Sequence, residues 1–458
     1  MEGVTSTKAA LIRGLVRGIV SGFRMVPEGV VVRLVHNVLG KTCSDEAELW
    51  LRRSLTIARK TFPRLNETYR RKIVDNFVSN AMVLGTMTRA SVEREEGVHV
   101  PFFFVISPSM ACNLRCYGCY AGMYHQNQGL DTATFDRILT EAKELGIHFI
   151  TVSGGEPYIR PDLLDLFEKH DDMFFQTYTN GTLIDPARLA KLGNVFPAIS
   201  VEGFEKETDA RRGKGTYGRI MEVMDGLREE GCAFGFSCTA TSQNVDLVSS
   251  DEFVDFYEQK GCLLGWYFTY IPIGRRPDVG LMPTPQQRHR LRRRVREIRT
   301  THDIIVGDFW NDGMLTGGCI AGGRYYFHIN ANGDVEPCVF VHFAVDNIRK
   351  KSLREVFSSD FFRMIQARQP YDRNLLRPCM IVDCPQVLRD VVAGAGAHPT
   401  HDGAETIITA LKGFLDRYAQ EYGELADQAL VEEYHPTSGK ARDAWEQVME
   451  ERSATVAH

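Results

Sequence analysis

Between residues 99 and 271 the chain alternates two patterns. Short apolar runs occur at 102–107, 147–153, 174–179, 198–201, 234–240 and 264–271. Their lengths and their aromatic and β-branched content read as buried strands. Between them, 132–145, 161–170, 186–192, 217–230 and 250–260 carry apolar residues at helical spacing, and most begin after Asp, Pro, Ser or Thr. Strands that alternate with helices pair in parallel through crossover connections, which predicts an α/β fold of about six β/α units.

The flanks follow other rules. Segment 8–40 places Leu11, Leu15, Val16, Ile19 and Phe23 on one helical stripe, with Arg13, Arg17 and Arg24 elsewhere, and Gly14, Gly18 and Gly22 recur every fourth residue. A basic amphipathic helix of this kind lies in a membrane interface or packs its stripe on the barrel or on the helical segment 46–95. Segment 288–299 carries seven arginines in a stretch predicted as one helix after Pro283 and Pro285. It reads as a solvated face or as a phosphate-binding surface. Segment 307–313, Gly-Asp-Phe-Trp-Asn-Asp-Gly, reads as a pocket wall or as a turn, and the residues after 397 read as acidic surface helices.

The cysteines carry the chemistry. Cys112, Cys116 and Cys119 have the spacing C-x3-C-x2-C, and no fourth ligand stands nearby at zinc spacing. The opening Met-Glu-Gly-Val-Thr-Ser-Thr lacks the charged and apolar regions of an export signal, so a disulfide framework is not expected. Three thiolates on a four-iron cubane leave one iron open to a small molecule. Farther on, Cys319, Gly333 and Cys338 form C-x13-G-x4-C, with Asn332-Gly333 predicting a type I′ hairpin, and Cys379 and Cys384 follow. Cys43, Cys232, Cys238 and Cys262 have no metal spacing and read as ordinary buried residues.

On these residues the chain resembles the radical S-adenosylmethionine (SAM) enzymes. The run 147–153 leads into Gly154-Gly155-Glu156-Pro157, similar to the family's GGEP loop, whose bare glycines admit backbone close to the ligand and whose glutamate accepts from its ammonium group. The resemblance places Asn180, after the third strand, at the ribose, and Ser200 and Arg212 at the methionine carboxylate. It implies an open partial (β/α)6 barrel with every motif at the carboxyl ends of strands. One position departs from the family: Gly118 precedes the third cysteine where an aromatic residue is usual, and Tyr117 or Tyr120 stands in or the loop does without. The second cysteine group resembles the SPASM extension, without its full seven cysteines, and implies one auxiliary iron-sulfur cluster on Cys319, Cys338, Cys379 and Cys384. Structural zinc or free thiols are the other readings of that group.

Four regions are thus expected: a helical region 1–98, the barrel 99–305, the auxiliary-cluster region 306–395 and a helical tail 396–458. The resemblance implies one-electron cleavage of SAM by a [4Fe-4S] cluster to a 5′-deoxyadenosyl radical that takes hydrogen from an unactivated C–H bond. Glu202, at a strand end, is the candidate proton acceptor or substrate contact, with a solvated turn residue as the alternative. A ferredoxin or flavodoxin is the expected electron donor. A membrane-associated lipid chain is the preferred substrate, resting on the amphipathic opening and the arginine helix, and a peptide or protein is the alternative. An electron carrier has no use for the SAM-binding elements. The net charge of −5 gives no reason to expect nucleic acid, and no apolar run is long enough to span a bilayer, so the expected location is cytoplasmic, with peripheral contact at the inner face of the membrane.

Overall fold

In the computed structural model, residues 6–21, 45–125 and 129–434 are described. Seven parallel strands follow one another across one sheet: β1 (Phe103–Ile106), β2 (Phe149–Val152), β3 (Phe174–Thr179), β4 (Val195–Val201), β5 (Gly235–Ala240), β6 (Leu264–Thr269) and β7 (Ile305–Asp308). The register is continuous, with Ile150 opposite both Phe104 and Phe175. Helices Thr132–Glu144, Leu163–Lys169, Pro186–Leu192, Thr216–Glu229 and Asp251–Lys260 cross over between strands. Asp131, Asp185 and Ser250 cap three of them by accepting from backbone N–H groups of the first turn.

The expected division at 305 meets a strand. The sheet gains β7 as a seventh parallel strand, so a division at 305 falls on that strand's first residue. At the other edge, β8 (His328–Ile329) pairs parallel with β1, β9 (Asp334–Glu336) pairs with β8, and, beyond a separate two-stranded sheet of β10 (Phe343–Ala344) with His398–Pro399, β11 (Asp346–Asn347) pairs with β9. The extension therefore continues the barrel's own sheet. The β8–β9 connection is a four-residue loop in which Gly333 has φ +89° and Asn332 does not join it in the left-handed region, so the type I′ turn is not formed.

Each strand alternates. One face, including Ile106, Ile150, Phe175, Ile199 and Phe236, packs into a core beneath the crossover helices. The other face lines the barrel interior. It begins with large apolar side chains at the strand starts (Phe103, Phe149, Phe174, Phe196, Leu264, Ile305) and ends in small or polar ones (Ser153, Asn180, Ser200, Thr239). A second core joins the extension to the long helix Lys412–Glu433.

The helical region closes the amino-terminal end of the sheet. α1 (Ser6–Ser21) and α2 (Asp45–Thr61) precede Glu67–Lys72, a π-helical stretch Ile73–Leu84 and Gly85–Glu96. Polar side chains from this region bond backbone at the strand starts. Tyr69 Oη donates to the carbonyl of Val195 at 2.8 Å, Asn76 Nδ2 to Met173 at 2.8 Å, Arg89 to Gly146 at 2.6 Å and Trp50 Nε1 to Val306 at 3.3 Å.

Both basic elements pair described arginines within the protein, with Arg17, Arg290 and Arg293 remaining more than half exposed. On α1, Arg13 donates to Asn80 and Arg17 pairs with Asp75 at 2.7 Å, so the described part packs on the helical region; the side chains of Leu15 and Ile19, and residues Gly22, Phe23 and Arg24, lie outside the described residues. The arginine-rich segment forms α3 (Pro285–Thr301), capped reciprocally by Thr284 and Gln287. Five of its seven arginines pair across to other elements, Arg288 to Asp383, Arg292 and Arg296 to Glu433, Arg294 to Asp251, and Arg299 to Asp312, while Arg290 and Arg293 reach Asp246 and Glu433 from the exposed face. Segment 307–313 is largely a buried turn. Asp308, pushed up to about 6 by burial and by neighbouring Asp312, accepts from Asn311, and of its aromatics only Phe309 reaches the barrel cavity.

Candidate active site

The cysteine loop leaves the end of β1. Cys112, Cys116 and Cys119 all border one cavity of about 860 Å³ that runs along the barrel interior. Burial pushes the Cys112 thiol up to about 11 and raises that of Cys119, so these sulfurs ionise most readily when a metal takes the proton's place. Two arginines grip the loop through its carbonyls. Arg211 donates to Tyr117 and Gly118 at 3.3 and 3.4 Å, and Arg275 donates to Cys116 at 3.3 Å and, through its backbone N–H, to Cys119 at 3.0 Å.

Gly118 explains the departure noted in the sequence. Its φ is +61°, and a Cβ there would lie 2.7 Å from Cε2 of Tyr270, which follows β6. The aromatic ring beside the third cysteine thus comes from Tyr270. Tyr117 is part-exposed, and Tyr120 is bonded to Ser153 at 2.8 Å.

The loop after β2 docks against the chain leading into the cysteines. Gly155 donates to the carbonyl of Ser109 at 3.0 Å and Glu156 to that of Ala111 at 2.8 Å. A Cβ on Gly154 or Gly155 would fall 2.3 or 2.2 Å from those carbonyl oxygens, so the glycines permit backbone-to-backbone approach. Gly154 and Gly155 line the cavity, whereas Glu156 and Pro157 stand behind its wall. The expectation that Glu156 meets the ligand's ammonium is corrected. Its fully buried carboxylate accepts from Thr179 at 2.7 Å, from the Asn180 backbone at 2.7 Å and from Tyr158 at 3.2 Å, and so fixes the turn after β3. Asn180 lines the cavity with its amide donating to Asn113 at 2.8 Å.

At the end of β4, Ser200 lines the cavity and shares a hydrogen bond with Ser237 at 3.2 Å. Glu202 is not a solvated turn residue. It is 2 % exposed, and each oxygen is held by a different guanidinium, Arg211 at 2.6 Å and Arg212 at 2.5 Å. Burial opposes the charge on Arg211, and the Glu202 carboxylate overrides it, so the pKa of Arg211 is raised. Glu202 is therefore a positioning residue for two arginines that themselves border the cavity. Arg211 and Tyr270 were missed in the sequence; the adjacent Arg-Arg pair and an aromatic just past a predicted strand were the available signals.

The second cysteine group gathers beside the same cavity. A bond from Gly322 N–H to the Pro337 carbonyl at 2.8 Å ties the Cys319 segment to the Cys338 segment. Burial pushes the thiols of Cys319, Cys338 and Cys379 up to about 12, each sensing another of the three. Tyr326 Oη donates to Cys338 Sγ at 3.0 Å. Cys384 is also largely buried and senses Cys379, while its thiol contacts the Arg377 carbonyl at 3.9 Å. Ile320, Val339 and Phe340 separate this group from the barrel cavity and line it.

The donor sets fit iron-sulfur groups: three thiols border the cavity mouth and three more converge in the extension. Thr269 Oγ1 at the same end is buried without a protein partner, as a polar ligand there requires. Among the described residues no three His, Cys, Asp or Glu side chains close around a point that fits a single metal ion.

An open α/β barrel with a thiol triplet at the carboxyl ends of its strands defines a class of iron-sulfur enzymes. The chain belongs to the radical SAM superfamily, which it matches over residues 106–247, and residues 319–385 match the SPASM iron-sulfur cluster-binding domain. It is a radical SAM enzyme whose cofactors are a [4Fe-4S] cluster and SAM, with auxiliary iron-sulfur binding in the extension. It is 30% identical over 267 residues to mycofactocin maturase MftC of Mycolicibacterium smegmatis, covering 54% of this chain and 66% of that one. Against the Mycobacterium tuberculosis MftC it is 30% identical over 278 residues, covering 56% and 69%. An AdoMet-dependent heme synthase of Oleidesulfovibrio alaskensis is 24% identical over 297 residues, covering 57% and 76%. The crystal structure of Streptococcus suis SuiB bound to precursor peptide SuiA shares the fold, with a TM-score of 0.54 at 21% identity over 66% of this chain and 76% of that one.

Proposed function

We propose that this enzyme functionalises an unactivated C–H bond in a long apolar chain, of the kind a lipid carries. Support comes from one observation: the cavity at the cysteine loop continues through the barrel toward α2, and in its lower half it is lined mainly by aliphatic and aromatic side chains, with Ser54, Thr61, Thr151 and Gln176 among them. Cys112, Cys116 and Cys119 hold the catalytic cluster, and Cys319, Cys338 and Cys379, with Cys384 as fourth ligand, hold the auxiliary one. Bound together, cluster and SAM supply one-electron reductive cleavage and a hydrogen-abstracting radical. The backbone of Gly154 and Gly155, with Asn180 and Ser200, orients SAM at the polar end. Arg212 commits Nε and Nη2 to Glu202 and keeps further N–H groups for the methionine carboxylate. Around that point Phe268, Tyr270 and Phe340 keep bulk water from the reacting atoms. A small electron donor of the ferredoxin or flavodoxin kind reduces the clusters.

No helix among the described residues is long and apolar enough to cross a membrane. A peptide substrate is the second reading, favoured by relatives named as a maturase and by SuiB's structure with its precursor peptide. Against it, described residues before 97 form helices only, without a strand-rich module for leader recognition. The deciding experiment reconstitutes the protein anaerobically, adds dithionite and measures 5′-deoxyadenosine with phospholipid vesicles or with peptides. Vesicle-stimulated product supports the lipid chain, and stimulation by peptides alone overturns it.

A further inference from the structure

We propose that the amino-terminal helical region is part of the substrate site, with α2 forming the end wall that limits how long an apolar chain the barrel admits. This inference rests on the apolar-chain reading above and adds a specificity-determining element to it.

Closed (β/α)8 barrels fill their interior with layers of side chains, whereas this sheet is open. Here a continuous space of about 860 Å³ remains, toward the large end of the roughly 300–1,000 Å³ typical of ligand sites. The charged side chains on its wall, Arg211 and Arg212, stand at the cysteine end. From the midpoint downward the lining carries no Asp, Glu, Lys, Arg or His. Polar groups there are few (Ser54, Thr61, Thr151, Gln176 and the Trp266 indole N–H), so a peptide backbone would leave most of its N–H and C=O groups unpaired, at roughly 2–7 kcal/mol each on transfer from water. The carboxylates of a tetrapyrrole would find no cation. A hydrocarbon chain meets neither cost, and its burial is favourable along the whole length. The polarity gradient therefore fixes the orientation: functional end groups toward the arginines, chain terminus toward the floor.

The floor is α2 and the π-helical stretch. Trp50, Ser54, Ala58 and Thr61 recur at helical spacing on the cavity side of α2, facing Phe77 and Met82 across the same space. Small residues at 54 and 58 leave room where Trp50 closes it. The helix cannot simply retreat, because Trp50 bonds Val306, Arg53 donates to the Arg299 carbonyl at 3.0 Å, and Lys60 pairs with Asp303 at 2.6 Å. These ties hold the wall at a set distance from the cysteine loop.

The test uses the full-length, cluster-reconstituted protein and saturated fatty acids graded from decanoate to eicosanoate, measured by displacement of a fluorescent fatty acid. Wild type should bind more tightly as the chain lengthens, up to a limit. In Ala58→Phe, and separately in Ser54→Phe, that limit should shift to shorter chains, with binding about tenfold weaker for each two methylenes expelled. A fatty acid bearing a diazirine on its terminal carbon, photolysed in wild type, should label peptides containing residues 50–62 or 73–84. That measurement needs no substitution, so it decides the matter even if both variants unfold. Wild type that binds fatty acids yet labels only near the cysteine loop, or folded variants with the wild-type limit, would overturn the end wall while leaving the substrate reading intact. Wild type that binds no fatty acid of any length would sink both.

Discussion

The ring of Tyr270 occupies the space that a side chain at position 118 would need, 2.7 Å from where a Cβ on Gly118 would stand. The relationship is reciprocal, since Gly118 supplies both the vacancy and the left-handed φ of +61° at the third cysteine. Gly118→Ala should therefore lower iron retention after anaerobic reconstitution, by clash and by a backbone cost of about 1–2 kcal/mol. Adding Tyr270→Ala should recover the part due to the clash and not the part due to φ. Iron per chain across the four proteins of this cycle separates the two; full iron in Gly118→Ala alone would show that the ring moves aside freely.

Glu202 bridges two guanidiniums, one of which also holds the cysteine loop. Glu202→Gln removes the charge from a site where two buried arginines remain, and breaking a buried pair in this way costs roughly 3–5 kcal/mol. The expected outcome is a lower melting temperature together with weaker SAM binding, because Arg212 loses its anchor. A proton-acceptor role would instead give normal stability and SAM affinity with product formation alone abolished. Differential scanning fluorimetry and equilibrium SAM binding distinguish these outcomes.

How much of this was readable beforehand follows from what kind of information each feature needs. Parallel strands and crossover helices were legible because apolar runs and 3.6-residue spacing are local, as Ile150 and Val152 illustrate. The cysteine triplet and the loop at Gly154 were legible for the same reason. The partners of Glu202 were hidden because Arg211 and Arg212 fold over it only at the end of the next helix. The arginines of α3 were ambiguous because their partners Asp383 and Glu433 lie about 100 residues or more away in sequence. Tyr270 is hidden likewise: only the sheet brings it over Gly118. The cavity was invisible, since a void is a property of how side chains from seven strands and two helices fail to meet.

Arg288 and Asp383 form a bidentate pair at 2.6 and 3.1 Å with both side chains fully buried, and the guanidinium lies 3.7 Å over the Tyr422 ring. Asp383 also accepts from the backbone N–H of Cys379 at 2.9 Å, so the pair holds the Cys379 to Cys384 turn in place. Arg288→Met should destabilise by roughly 3–5 kcal/mol and reduce auxiliary iron, since Asp383 is left charged and unpaired. Arg288→Met with Asp383→Leu should regain much of the stability while the turn stays loose. Iron analysis beside urea unfolding would show this split; parallel recovery of both would mean that the turn is held by other contacts.

His342 is buried beside Tyr124, with Nε2 donating to the Val339 carbonyl at 2.9 Å and Nδ1 lying 2.6 Å from Nε2 of His401, whose own Nδ1 faces the Asp402 carbonyl at 2.9 Å. Burial lowers its pKa from 6.5 to about 4. On acidification the unfolded chain takes up this proton first, so folding stability is fully present above about 6.5 and falls as pH drops through about 4. The loss attributable to this one group is at most roughly 3 kcal/mol. Burial opposes ionisation of Glu336, but His328, His342 and Thr400 together hold it below the usual carboxylate range, which adds loss in the same direction at lower pH. His342→Gln removes the first contribution and weakens the second, since His342 is one of the groups acting on Glu336. Urea unfolding of both proteins at pH values between 7 and 4 should give a shallower acid decline for the variant, and identical slopes would mean that His342 is protonated in the folded state.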